Sequence, residues 1–373
     1  MKNLLLKIIP LFFIGITSTL SANNTKETHQ QTIKVALLLD TSNSMDGLIS
    51  QAKAQLWEIV NELSYAKYGI QKPDLKIALY EYGNDDLESS DGFIRKVLSF
   101  SSDLDEISEK LFSLTTNGGK EYCGQAISTS LKELDWGDNK NDLRLIFIAG
   151  NEPFTQGKIN FKEAISDAKE RDVIINTIFC GNYKQGISEK WQEGANIGGG
   201  EYMNIDQNKK IIHIITPYDE DIIILNKRLN KTYIYYGSDG ANQFKKQATQ
   251  DSNAESYSAP VSVGRTISKS KRLYKNPSWD LVDKSADKEI NYSKIKRAFL
   301  PKELQKMSDT ELQQYVEEQR KERILIKKKI SELDRKRRVF IAKKQQESTK
   351  TNELESVIIN VIKKQAIQKN YSW

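Results

Sequence analysis

IKVALLLDTSNS, residues 33–44, is an apolar run that ends in a carboxylate. Val35-Ala-Leu-Leu-Leu39 is too short for a buried helix and suits a strand buried on both faces. Asp40, Ser42 and Ser44 follow at a spacing of two. A helical pattern then begins, with Leu48, Ile49, Ala52, Leu56, Ile59, Val60 and Leu63 on one face. Asp-x-Ser-x-Ser therefore occupies the turn between a buried strand and a helix, the carboxyl edge at which open α/β sheets bind ligands. One carboxylate and two hydroxyls offer hard oxygen ligands that suit Mg²⁺ or Mn²⁺. The same residue types also favour an ordinary helix N-cap. The strand before, the helix after and the loops downstream favour a site.

The pattern continues outward. Leu75–Tyr82 alternates into a buried strand, and Phe93–Phe100 follows after a short turn-rich connection, which implies an antiparallel hairpin. Further strands are expected at 143–148, 173–179 and 201–205, with helices at 103–114, 125–134, 161–171 and 188–196 between them. Helix resumes from about 209 to 230, with a break at Pro217. Such alternation makes a doubly wound, mostly parallel six-stranded α/β sheet with helices on both faces. Residues 237–293 are polar and weakly periodic, and read either as an extended linker that docks through Tyr274, Pro277, Trp279, Leu281 and Val282 or as a disordered segment. Residues 294–373 read as a basic helical extension, a hairpin or short coiled coil, opened by the capping box Ser308-Asp-Thr-Glu311.

Composition narrows the chemistry. Two histidines, His29 and His213, build neither a His-rich zinc site nor a His-based triad. There is no P-loop and no Gly-x-Ser-x-Gly elbow, and Ser42 stands where Asp-x-Asp phosphatase chemistry needs a second Asp. Residues 1–22 have a basic start, an apolar stretch from about Ile8 to Leu20 and a small-residue end at Ser21-Ala22, the pattern of a secretory signal peptide. The expectation is an exported protein, periplasmic or secreted. From Ser293 onward twenty-one Lys or Arg face eleven Asp or Glu, although the whole chain carries only +6. The tail is thus a module distinct in charge, suited to a second partner, an envelope surface or self-association. Without aromatic interleaving or a Gly-rich loop, nucleic acid is not the expected partner.

A buried strand ending in Asp40-Thr-Ser42-Asn-Ser44, followed by this order of elements, resembles the von Willebrand factor A domain family over residues 31–236. The resemblance implies a metal-ion-dependent adhesion site. The first loop would supply Asp40, Ser42 and Ser44, a second loop a Thr and a third an Asp, with an acidic residue of a partner protein filling the open metal position. Here the second loop, Leu114–Gly124, has Lys120 and Glu121 where the family places its Thr. Glu121 is the candidate ligand, with Thr115 or Thr116 reaching from further back. In the third loop, Gly150 stands where Asp is expected, and Asn151 or Glu152 beside it is the candidate. Cys123 and Cys180 fall at this same edge, and in an exported protein the expectation is a disulfide between them. Beyond the domain, Asn230–Gly237, Trp279–Asp283 and Leu300–Leu304 resemble a group of exported bacterial proteins with such a domain and a helical extension.

The expected function is an exported, non-enzymatic protein-binding module that uses a Mg²⁺ or Mn²⁺ site. One alternative is a scaffold with a degenerate metal site that interacts through its C-terminal helices. Another is a hydrolase that activates water on the metal, with Glu121 or Glu152 as base.

Overall fold

The computed structural model describes residues 30–206, 213–286, 290–346 and 354–373. The segment read as a signal peptide, residues 1–22, and His29 lie outside them. Six strands form one sheet: β1 (Thr32–Asp40), β3 (Asp74–Tyr82), β4 (Ile94–Ser101), β5 (Leu143–Gly150), β6 (Ile174–Cys180) and β7 (Gly199–Ile205). Their order is β4-β3-β1-β5-β6-β7. Only β4 runs antiparallel, as the short connection after Tyr82 requires. Two-residue strands β2 (Lys67–Tyr68) and β8 (Tyr371–Ser372) pair separately.

The central strand β1 is paired along both edges, and helices cover both faces of the sheet, so its side chains are buried on either face. Ile33, Val35 and Leu39 face one core, and Ala36 and Leu38 the other. The first core is closed by α1 (Asp46–Leu63) and α2 (Leu104–Phe112). The second is closed by α3 (Cys123–Glu133), α4 (Phe161–Glu170), the short α5 (Tyr183–Ser188) and α6 (Trp191–Ile197). Asp103 caps α2 and Asn160 caps α4, each accepting backbone N–H groups of the first turn. Residues 213–216, expected to be helical, form a loop, and α7 (Asp219–Asn230) begins only past Pro217.

The polar stretch expected to be a linker is helical instead, as α8 (Gly240–Tyr257) and α9 (Ala259–Ser270). Its weak periodicity has a physical cause, because α9 is buried all round and its polar groups are paired. Arg265 lies 4.9 Å from the Trp57 ring and pairs with Asp105 at 2.8 Å and Asp251 at 2.5 Å. Lys269 pairs with the same Asp251 at 2.8 Å. Buried charges persist only when paired in this way.

The basic extension docks on the domain. Short α10 (Leu281–Lys284) and the long α11 (Asp309–Gln346) are followed by α12 (Leu354–Gln368). α11 lies against α7, α9 and α10, whereas α12 lies against α1 and β7, so the two helices occupy different surfaces rather than zipping into one hairpin. Arg323, which interrupts the apolar spacing of α11, is buried against Tyr233 and pairs with Asp280 and Asp283. The end of the chain is held by a buried Gln365–Asn176 pair at 2.7 Å and by Trp373, whose indole donates to the Glu62 carbonyl at 3.2 Å. No helix among the described residues is long and apolar enough to cross a membrane.

Candidate functional site

Asp40 ends β1 and is wholly buried. Its Oδ1 accepts the Ser42 N–H at 2.7 Å, which shapes the turn into the short 3-10 segment Asn43–Met45 ahead of α1. Its Oδ2 is buried with no hydrogen-bond donor. The Ser42 and Ser44 hydroxyls lie 3.1 Å apart, Ser42 nearly buried and Ser44 exposed. Asn151 flanks Ser44, with its side-chain nitrogen 3.2 Å from the hydroxyl. The sequence-level candidates Asp40, Ser42, Ser44 and Asn151 therefore converge.

Glu121 joins them from the turn before α3. It is 2% exposed, and its Oε2 accepts the Glu152 N–H at 3.2 Å. Burial, then the Glu121 carboxylate beside it, pushes the Asp40 carboxyl well above the ordinary carboxylate range. Burial also raises Glu121, opposed by hydrogen bonds from Asp40, Ser42 and the Glu152 N–H. Two carboxyls in one buried space do not both ionise without a cation beside them, and otherwise retain a proton. Gly83 makes this approach possible. It adopts φ +77°, and a Cβ on it would come within 2.7 Å of Asp40 Oδ1 and 2.8 Å of Glu121 Cγ.

Three candidates are placed elsewhere. Thr116 donates to Asp46 at the exposed start of α1 rather than to the carboxyl pair. Thr115 is exposed, with its carbonyl accepting from Asn84 at 3.2 Å. Glu152 contributes its backbone, because its exposed carboxylate accepts from Gln156 at 3.2 Å. The expected disulfide is absent, since both cysteines are free and buried. Cys123 packs with Tyr82 and Leu38 on one face of the sheet, and Cys180 with Leu39 and Ile205 on the other. The sheet itself stands between the two thiols.

Sequence reasoning missed Tyr82. Its hydroxyl donates to the Ala149 carbonyl at 2.9 Å. A Cβ on Gly150 would meet that hydroxyl at 2.6 Å, Trp191 at 3.1 Å and Asp40 Oδ2 at 3.2 Å. The space that an Asp side chain would take at position 150 is thus filled by Tyr82 and Trp191. The usable signal was local: a Tyr ending a buried strand immediately before a Gly.

The donor set fits a hard cation. Two carboxyls, two hydroxyls and an amide oxygen suit Mg²⁺ or Mn²⁺, and the donorless Asp40 Oδ2 is what such an ion would satisfy. Among the described residues no group of three or more His, Cys, Asp and Glu is placed to hold a metal, so hydroxyls would have to complete the shell.

No curated protein matches the chain. Among solved structures it is similar to the conserved hypothetical protein BatB from Bacteroides thetaiotaomicron, at 18% identity and TM-score 0.36, covering 47% of this chain and 90% of that one. It is similar to an aerotolerance-related membrane protein from Bacteroides fragilis, at 17% identity and TM-score 0.32, covering 47% and 92%. A third is proximal thread matrix protein 1 from the mussel byssus, solved with a zinc-occupied MIDAS motif, at 12% identity and TM-score 0.34, covering 48% and 43%. None of these likenesses bears on function. The von Willebrand factor type A domain family matches residues 34–204, the span from β1 to the end of β7. The chain carries a von Willebrand factor type A domain there, continued by a helical C-terminal region.

Proposed function

We propose that this chain is an exported, non-catalytic protein-binding module. Asp40, Ser42, Ser44 and Glu121 hold Mg²⁺ or Mn²⁺, with Asn151 at the rim, and present it to an acidic group of a partner protein. The observation that carries this reading is the fully buried Asp40 carboxyl, whose Oδ2 has no donor and whose neighbour is a second buried carboxyl. Von Willebrand factor type A domains generally mediate protein–protein interactions, and some carry such a site. The acidic groups lie below, with the exposed Ser44 and the half-buried Asn151 above, so a partner carboxylate would approach the ion from solvent. Export rests on the pattern of residues 1–22.

Binding is favoured over hydrolysis by the position of the two candidate bases. Glu121 lies beneath the hydroxyls in the buried floor, and the Glu152 carboxylate is turned to Gln156. A second reading, a scaffold without a working metal site, is favoured by one observation, the filling of the Gly150 position by Tyr82 and Trp191.

Thermal melts with Mg²⁺ or Mn²⁺ and with chelator separate the two. A ligand at a hundredfold its dissociation constant stabilises by about 2.7 kcal/mol. The metal-site reading expects a rise of that order, abolished in Asp40→Ala. Identical melts in metal and chelator would support the scaffold.

A further inference from the structure

The basic charge of α11 is divided between two faces. The inward face carries Arg323, Ile326, Ile330, Leu333, Asp334 and Arg337, all buried, and its charges are paired within the fold. The outward face follows the same helical spacing, with Lys321, Lys328, Lys329, Arg335, Lys336 and Lys343 exposed and Glu332 the one acid among them. Among the described residues, Lys328, Lys329, Arg335, Lys336 and Lys343 make no ion pair. Three aliphatic side chains share this face, Ile324 at 53%, Leu325 at 63% and Val339 at 68% exposure. The stripe from Lys321 to Lys343 runs for about 33 Å along the helix.

We propose that this outward face of α11 docks on an anionic lipid surface. Cations unpaired within the protein are attracted to acidic headgroups, and their alkyl stems let the ammonium groups reach the phosphates while the backbone lies flat. Ile324, Leu325 and Val339 are then placed to enter the boundary between headgroups and acyl chains, as in helices that lie in the interface plane. A nucleic acid has no use for these aliphatic groups. The surface is separate from the metal site, and its occupancy does not depend on a cation there.

The test is cosedimentation of the full chain with vesicles, in chelator, using phosphatidylglycerol mixed with phosphatidylcholine and phosphatidylcholine alone. One variant carries Lys328→Gln, Lys329→Gln, Arg335→Gln and Lys336→Gln, and a second carries Leu325→Ser and Val339→Ser. All six side chains are exposed, and a melt checks that each variant folds. The N-terminal apolar stretch is common to every sample, so differences between variants report α11. The expected result is a preference for the anionic vesicles of roughly tenfold or more that weakens with salt, lost in the first variant and reduced severalfold in the second. Binding to the anionic vesicles that neither variant diminishes would overturn the proposal. So would a wild-type chain that self-associates, or takes up a short RNA, through these side chains while ignoring lipid.

Discussion

The carboxyl groups of Asp40 and Glu121, one at the end of β1 and one in the turn before α3, meet in the buried floor beneath Ser42. Both have raised pKa values, so the folded chain keeps a proton there that the unfolded chain has already lost. The stability this contributes is full below the ordinary carboxylate range and is lost as pH rises through the raised values. In chelator, the melting temperature should therefore fall from mildly acidic to neutral pH, and Asp40→Asn should flatten that slope. A slope unchanged in Asp40→Asn would place the titration elsewhere.

Gly150 and Tyr82 are a fitted pair. Gly150→Ala forces a Cβ to within 2.6 Å of the Tyr82 hydroxyl, an overpacking that should cost about 1–3 kcal/mol. Removing that hydroxyl with Tyr82→Phe makes room, so the double variant should be more stable than the sum of the single changes requires. Denaturant unfolding of the four proteins measures the coupling, and strict additivity would argue against the fit.

Cys123 and Cys180 lie on opposite faces of the sheet, and burial pushes both thiols well above their ordinary pKa. Reductant should leave the melt unchanged. A thiol reagent should find neither cysteine in the native protein and both after denaturation. A melt that drops on reduction would show a bond this fold does not contain.

Arg323 fixes α11 to the domain through Asp280, Asp283 and Thr232. Arg323→Ala leaves Asp280 buried without its cation, a loss of about 3–5 kcal/mol. Urea unfolding should show it, whereas Lys328→Ala on the outward face should change little.

What the sequence made readable follows the strength of its patterns. The apolar run of β1 and its Asp-x-Ser-x-Ser turn place the site, because a doubly buried strand leaves few alternatives. Glu121 was within reach as well, since it occupies a known position in the second loop. Tyr82 showed only as a Tyr ending a strand before a Gly, because its hydroxyl reaches the Ala149 carbonyl of β5 past the intervening β1, a contact that local spacing does not reveal. The helix α9 was hidden for another reason. Its buried positions include Arg265, Ser268 and Lys269, which erase the apolar period, although Ser258 before Pro260 is a helix-start signature. The pairing of the cysteines depended on which face of the sheet each thiol took, which their common position at one edge does not reveal.

The most direct measurement is titration of the metal-stripped chain with Mn²⁺ near neutral pH, followed by calorimetry or by the loss of the free-ion electron paramagnetic resonance signal. One ion per chain should bind with release of the proton shared by Asp40 and Glu121, displaceable by Mg²⁺ and abolished by Asp40→Ala. No binding by the wild type, or equal binding by Asp40→Ala, would contradict a metal centre at this edge of the sheet.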